Sequence, residues 1–250
     1  MRSDKMKLSV IIPACNEEAL IKKVVLDILE ELKRESILNE IIIVDDNSSD
    51  SMPQIADRLA SEYDNIRVIH RKPPNGIGRA IKEGIDNVKG DAIVTVMGDA
   101  SDDPKDIVRY FRKIEEGYDC VFGSRFVKGA VVSDYPLHKL ILNRLANTFL
   151  QVLFFTGHND LTNAFKAYKR EVIESMKPIE SLYFNITVEL PLKALVRGYK
   201  AASIPINWYG RESGVSKFSI RSLGRRYLYT SLYIWLQKML IQDDIRDRGN

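Results

Sequence analysis

The stretch Glu40-Ile-Ile-Ile-Val-Asp45-Asp46-Asn47-Ser48 is an unbroken apolar, β-branched run that ends in two carboxylates. A short apolar run bounded by polar residues fits a strand buried on both faces, as in a parallel sheet. Carboxylates at its end then lie on the C-terminal edge of that sheet, where open α/β folds place ligands. A second apolar run, residues 92–97, is followed in the same way by Asp99. Two such edges, one chain segment apart, predict a cleft for a polyphosphate, a metal and a sugar.

The flanking sequence repeats the pattern. Residues 8–12 read as a first strand stopped by Pro13. Asn16, Glu17 and Glu18 then lead into a helix with Ile21, Val24, Val25, Ile28, Leu29 and Leu32 on one stripe. Ser49, Asp50 or Ser51 caps a helix carrying Ile55, Leu59 and Ala60, and residues 66–69 form a third strand. Asn75-Gly-Ile-Gly78 opens another helix, Ile107, Tyr110, Phe111 and Ile114 mark the face of a further one, and residues 120–122 read as a short strand. This strand and helix alternation predicts an α/β fold: a mostly parallel sheet with helices on both faces.

Beyond Arg125 the pattern changes. Residues 137–155 read as a long helix, 165–168 as a strand, 172–176 as a short helix, 186–196 as a helix despite Pro191, and 202–209 as a strand interrupted at Pro205. Residues 227–241 are apolar and aromatic, with one lysine and no acid, and follow Arg221, Arg225 and Arg226. They are too few to span a bilayer, which takes about twenty apolar residues. Two readings stand: a helix lying at a membrane interface, or one docked on a partner subunit or on the protein's own core. The domain division expected is 1–218 for a catalytic domain and 219–250 for an amphipathic interfacial helix and polar tail.

Composition narrows the function class. The 250 residues are 45% hydrophobic and 28% charged, with a net charge of +3 spread among interleaved acids and bases. That argues against nucleic acid, which needs a continuous basic footprint. Cys15 and Cys120 are too few for a disulfide framework or thiolate site and fit buried free thiols in a reducing compartment. No basic, apolar leader opens the sequence, so a non-secreted protein is expected. His70, His138 and His158 lack metal-ligand spacing, and ordinary surface or hydrogen-bonded roles are expected of them.

Gly76-Ile-Gly78 lacks the third glycine of a dinucleotide loop and does not follow the first strand, and no glycine-rich loop ends in Lys-Ser or Lys-Thr. A nucleotide would therefore be held by carboxylates and a hard divalent ion. Asp99 is the best candidate ligand; Asp102, Asp103 and Asp106 fit capping roles at the helix beginning near Pro104.

Six motifs then occur in order: Val10-Ile-Ile-Pro-Ala-Cys-Asn-Glu-Glu18, Ile43-Val-Asp-Asp-Asn-Ser48, Met97-Gly-Asp-Ala-Ser-Asp-Asp-Pro104, Gly123-Ser-Arg125, Asp160-Leu-Thr162 and Ser213-Gly-Val-Ser-Lys217. Over residues 8–218 the chain resembles the inverting family 2 glycosyltransferases, and within them the dolichyl-phosphate mannosyltransferase-like polyprenyl-phosphate sugar transferases. The resemblance implies a GT-A-like fold. It implies that Pro13, Ala14, Asn16, Glu18, Asp45 and Asp46 receive the base and ribose of a nucleotide sugar. Asp99 corresponds to the second Asp of the family's Asp-x-Asp motif, which holds Mg2+ or Mn2+; Met97 stands where the first belongs, and a thioether does not bind a hard cation. Arg125, Arg144 and Ser216 are implied lipid-phosphate contacts, with His138 and Lys139 weaker ones. Arg144 also fits an ordinary solvent-facing charge. Asp160 is implied to position a sugar hydroxyl or a phosphate-binding arginine, although Asn163 and Ala164 replace the family's Ser and Gly. Arg211, Ser216 and Lys217 lie on a loop implied to close over the diphosphate.

The expected reaction is inverting transfer of a hexosyl unit, mannose foremost, from a nucleotide diphosphate sugar to a polyprenyl or dolichyl phosphate. The enzyme would lie peripherally on the cytoplasmic side of a membrane, with a homodimer possible. Two alternatives stand: a family 2 transferase acting on a soluble sugar or glycan, and a non-catalytic nucleotide-sugar-binding subunit. The donor base is open between guanosine, uridine and others.

Overall fold

A computed structural model describes residues 5–210, 220–242 and 245. The first half alternates β1 (Leu8–Ala14), α1 (Ile21–Arg34), β2 (Asn39–Asp45), α2 (Met52–Glu62), β3 (Ile66–His70), α3 (Ile77–Asp86), β4 (Ala92–Thr95), α4 (Pro104–Glu115) and β5 (Cys120–Ser124). The second half adds β6 (Val131–Val132), α5 (Leu137–Phe154), β7 (Lys166–Lys169), α6 (Arg170–Ser175), α7 (Ile186–Val196), β8 (Ala201–Pro205), β9 (Asn207–Trp208) and α8 (Ile220–Leu240).

Seven strands form one sheet in the order β3-β2-β1-β4-β7-β5-β8. All its pairings are parallel except those of β7, which runs antiparallel between β4 and β5. β6 and β9 pair separately in parallel. Successive side chains of the inner strands enter opposite cores. Val10, Ile12, Ile41 and Ile43 pack with α1, α2 and α4, while Ile11, Ile42 and Val44 pack with α3, α6 and α7. Burial on both faces is why these strands read as continuous apolar runs rather than alternating ones.

Several boundaries differ from the sequence reading. β1 continues through Pro13 to Ala14, which pair with Val44 and Asp45; near a strand end proline removes only one ladder donor. α1 starts at Ile21, because Asn16 takes a left-handed φ of 58° and turns the chain first. Cys120 is buried, whereas Cys15 is only partly so.

α8 spans 21 residues, Ile220–Leu240, and so begins well before the apolar stretch read from 227. It packs along α7 and places Ile234 in the second core. Its outer side stays open, with Tyr229, Leu236, Met239 and Leu240 exposed. The helix is thus docked on its own protein along one face and apolar to the outside along another. Among the described residues no helix is long and apolar enough to cross a membrane.

Candidate active site

One edge of the candidate site is built where β1 and β2 end side by side. Ala14 and Asp45 are register partners, and the Asp46 amide donates to the Ala14 carbonyl. The loops beyond are laced together. Asn16 donates its amide to Ser48 Oγ and accepts from the Ser49 amide at 2.7 Å. Glu18 donates its amide to Asp50 and accepts from the Ser51 amide at 2.9 Å. Asp45 is buried; its Oδ1 accepts from the Ser48 amide and its Oδ2 faces His70 Nδ1. Asp46 is paired with Arg71 and accepts from the Gly76 amide at 2.6 Å, so it ties α3 to the sheet edge. Glycine is required at 76, where an added Cβ would collide with the Leu182 carbonyl. Pro13, Ala14, Asn16, Glu18, Asp45 and Asp46 therefore share one edge, with much of the carboxylate capacity of Glu18 and Asp46 engaged in building it.

Asp99 lies next along this edge, buried beneath a turn in which Ala100 has a φ of 58°. Ser101 donates to Asp99 Oδ1 from its hydroxyl at 2.6 Å and its amide at 3.2 Å. Asp103 is the cap of α4, accepting from the Lys105 amide, and Asp106 accepts from Arg109 and the Asn207 amide. Asp102 is not a cap. It is buried and accepts from the Met97 amide at 3.1 Å. Burial pushes its carboxyl up to about 7, the Asp99 charge adding to the rise and the Met97 amide and Arg125 opposing it. Among the described residues no group of three or more His, Cys, Asp or Glu side chains is arranged to hold a metal. A small divalent cation in phosphoryl sites takes one or two carboxylates and completes its shell with substrate oxygens and water. Asp99, with Asp102 close in the chain, fits that donor set.

A second cluster centres on Arg125, which leaves the end of β5. Its Nε and Nη2 each donate to Asp160 at 2.8 Å, and its amide donates to the same carboxylate at 3.1 Å. Both side chains are buried. The guanidinium lies 5.4 Å from the Phe126 and Tyr135 rings and 5.9 Å from that of Trp208. Burial works against its charge, yet Asp160 overcomes this and holds the guanidinium above its ordinary range. Arg125 opens on a cavity of about 720 Å3, walled by Phe126, Val132, Tyr135, Pro136 and Leu140, with Asp134 also on its lining.

The loop carrying Asp160 is fastened from α5. Arg144 is half-buried, donates to the Asn159 carbonyl at 2.9 Å and lies 4.5 Å over Phe126. Asn143 and Asn147 both donate to Thr162 Oγ1, and the Thr162 amide returns a bond to Asn147. Lys166, unnoticed in the sequence, is buried beneath this loop and donates to the carbonyls of Leu161, Asn163 and Thr187. Burial brings its ammonium down to about 7, against the pull of Asp160. His158 donates or accepts at Ser203 Oγ and packs on Phe122, and His138 is exposed at the start of α5.

Arg211, Ser216 and Lys217 lie outside the described residues. The chain approaches that stretch beside the metal candidate, since the Tyr209 amide donates to the Ser101 carbonyl. Sequence reasoning missed Asp102, Lys166, Asn147 and Trp208. The Asp-Asp-Pro run hid Asp102 as a cap, and the other three carried no local signal.

Arg125→Met tests the pairing. It leaves Asp160 buried without its counter-charge, so the stability measured by urea denaturation should fall by about 3–5 kcal/mol, and Asp160→Asn should cost less in the Arg125→Met background than alone. Additive losses would mean that the two side chains do not act as a pair.

A family model for glycosyl transferase family 2 matches residues 9–176. Polyprenol monophosphomannose synthase of Mycolicibacterium smegmatis is 34% identical over 185 residues, 72% of this chain and 70% of that protein. Glycosyltransferase AglD of Haloferax volcanii is 30% identical over 209 residues, 81% of this chain but 33% of its own length. Among solved structures, glucosyl-3-phosphoglycerate synthase from Mycobacterium tuberculosis, with Mn2+, UDP and phosphoglyceric acid, superposes with a TM-score of 0.70 at 20% identity, covering 92% of this chain and 78% of that one. The same enzyme with Mg2+ and UDP gives 0.68 at 20% identity, covering 92% and 79%. The fold is GT-A-like, and the chain is a glycosyltransferase belonging to family 2.

Proposed function

We propose that this enzyme transfers a hexosyl unit, with mannose the expected sugar, from a nucleotide diphosphate sugar to a polyprenyl phosphate with inversion at the anomeric carbon. The observation that carries this reading is the cavity at Arg125. It joins a buried guanidinium to mostly apolar walls at the foot of α5, as a phosphate attached to a hydrocarbon chain requires, with Asp134 as an acidic residue on its lining. From there an exposed apolar ridge runs along α5 through Ile141, Leu145, Phe149 and Val152. The similarity to polyprenol monophosphomannose synthase supports the same substrate class.

In this scheme Pro13, Ala14, Asn16, Glu18, Asp45 and Asp46 shape the nucleoside pocket at the ends of β1 and β2. Arg125 and Arg144, with Ser216, draw the lipid phosphate to the anomeric carbon. One phosphate oxygen forms the new bond to that carbon as the bond to the diphosphate oxygen breaks on the opposite face. The electron pair leaves with the nucleoside diphosphate. The acceptor is already anionic, so no base must remove a proton; Asp160 serves by aiming Arg125. A divalent cation at Asp99, Mg2+ or Mn2+ as in the M. tuberculosis structures, would neutralise charge on the departing diphosphate. Arg211 and Lys217 would close on the same group. Residues 1–218 would carry this chemistry, and 219–250 the interfacial helix and tail.

The outer faces of α5 and α8 support a peripheral position on a membrane, and the cytoplasmic side remains the sequence-based expectation. Arg225 and Arg226 near the start of α8 suit anionic headgroups. Deleting α8 would uncover the core around Ile234, so exposed side chains are the better test. Leu145→Ser combined with Leu236→Ser should reduce flotation with anionic phospholipid vesicles and leave the melting temperature near wild type. Unchanged flotation, together with conversion of a dimer to a monomer, would assign these faces to a subunit contact instead.

Asp99→Asn tests the donor end. It removes a charge from the metal candidate without touching the apolar cores, so transfer should be lost while the fold persists. Full activity of the variant, or of the wild type in excess chelator, would rule out a metal at Asp99.

A further inference from the structure

β3 ends in His70, whose ring lies between two carboxylates. Nδ1 is 2.9 Å from Asp45 Oδ2 and Nε2 is 3.0 Å from Asp57 Oδ1. Ionised carboxylates only accept hydrogen bonds, so imidazolium, which donates from both nitrogens, satisfies both contacts at once. Asp45 is buried and Asp57 is exposed on α2. Asp45 and His70 are also register partners across β2 and β3, so the backbone fixes their approach.

We propose that His70 is a positioning residue of the donor pocket, fixing the Asp45 carboxylate in the orientation that the nucleoside of the sugar donor meets. The proposal rests on the reading of Asp45 as part of that pocket. Asp45 has two oxygens to place. The Ser48 amide holds one at 2.9 Å, and the imidazole holds the other. Without the ring, Asp45 keeps one anchor and can rotate. Asp57 steadies the ring from its far side. The charges facing His70 are Asp45 from β2 and Asp57 from α2; Arg71, next in the chain, is turned to Asp46. The hydrogen bond to Asp45, followed by that to Asp57, holds His70 above the ordinary histidine range against weak opposition from burial. The ring therefore stays charged below that raised value and loses its proton as pH rises through it.

The test measures calorimetric affinity for GDP and for UDP, each with Mg2+, alongside an NMR titration of the His70 ring. With three histidines in the chain, assignment is direct. His70→Gln should weaken binding of the nucleotide that the wild type prefers by about tenfold at low pH, as loss of one charged hydrogen bond implies. The ratio of variant to wild-type Kd should shrink as pH rises through the His70 titration, because the wild type then loses a charge that the variant never had. If His70→Gln fails to fold, Asp57→Asn serves: the His70 titration should move down, and the pH at which binding weakens should move with it. A ratio of one at every pH, or Asp57→Asn shifting the titration without shifting the binding profile, overturns the positioning role. If Asp45→Asn binds nucleotide like the wild type, or neither diphosphate binds the wild type, the donor-pocket reading falls and the proposal with it. Weak binding by Asp45→Asn with normal binding by His70→Gln would remove His70 alone.

Discussion

The part of the candidate site proposed for the acceptor is organised by a buried charge pair. Moving Arg125 and Asp160 out of water costs several kcal/mol per ion, and only good geometry offsets that. The geometry is present: two parallel side-chain hydrogen bonds, a third from the Arg125 amide, and aromatic faces over the guanidinium. Because the pair joins the end of β5 to the loop before β7, that loop cannot shift without exposing a charge. Lys166 below and Asn147 beside it satisfy the loop's carbonyls and threonine and immobilise it further. The outcome is a cationic group whose position is set before any ligand arrives, which is the condition for electrostatic catalysis at low reorganisation cost.

The part proposed for the donor reaches the same end by other means. There the sheet edge supplies the rigidity, and two loops after β1 and β2 exchange amide and side-chain hydrogen bonds through Asn16, Ser48, Glu18 and Ser51. Asp46 and Arg71 add a second ion pair that reaches the start of α3. Asp99 stands between the two parts. Its loop and the first turn of α4 meet β9 and the residue after it, through the bonds from Tyr209 to Ser101 and from Asn207 to Asp106. The metal candidate, the cavity at Arg125 and the chain's approach to residues 211–219 are thereby mechanically joined.

The sequence made the parallel core legible because strands buried on both faces leave nearly unbroken apolar runs, as at residues 41–44 and 92–97. The carboxylates that follow were readable for the same reason. The antiparallel direction of β7 was not, since Lys166–Lys169 carries no mark of orientation and its place between β4 and β5 is set by tertiary pairing. Asp102 was misassigned because a helix-cap sequence and a buried carboxylate look alike until the cap is seen to be Asp103. For α8 the aromatic and apolar content was visible, but its division between a face on α7 and a face turned outward depends on which helices lie beside it. Lys166 and Asn147 were silent because polar residues in apolar surroundings reveal their partners only in three dimensions.

The central claim is that a sugar ends on a lipid phosphate. Incubating the wild-type protein with Mg2+, polyprenyl phosphate and donors carrying radiolabelled hexose, GDP-mannose first and UDP-glucose beside it, measures this directly. The account predicts label in an organic-extractable product that depends on the lipid phosphate and is released by mild acid as free hexose. Label confined to the aqueous phase as a glycan or sugar phosphate, with none in the lipid, would contradict it.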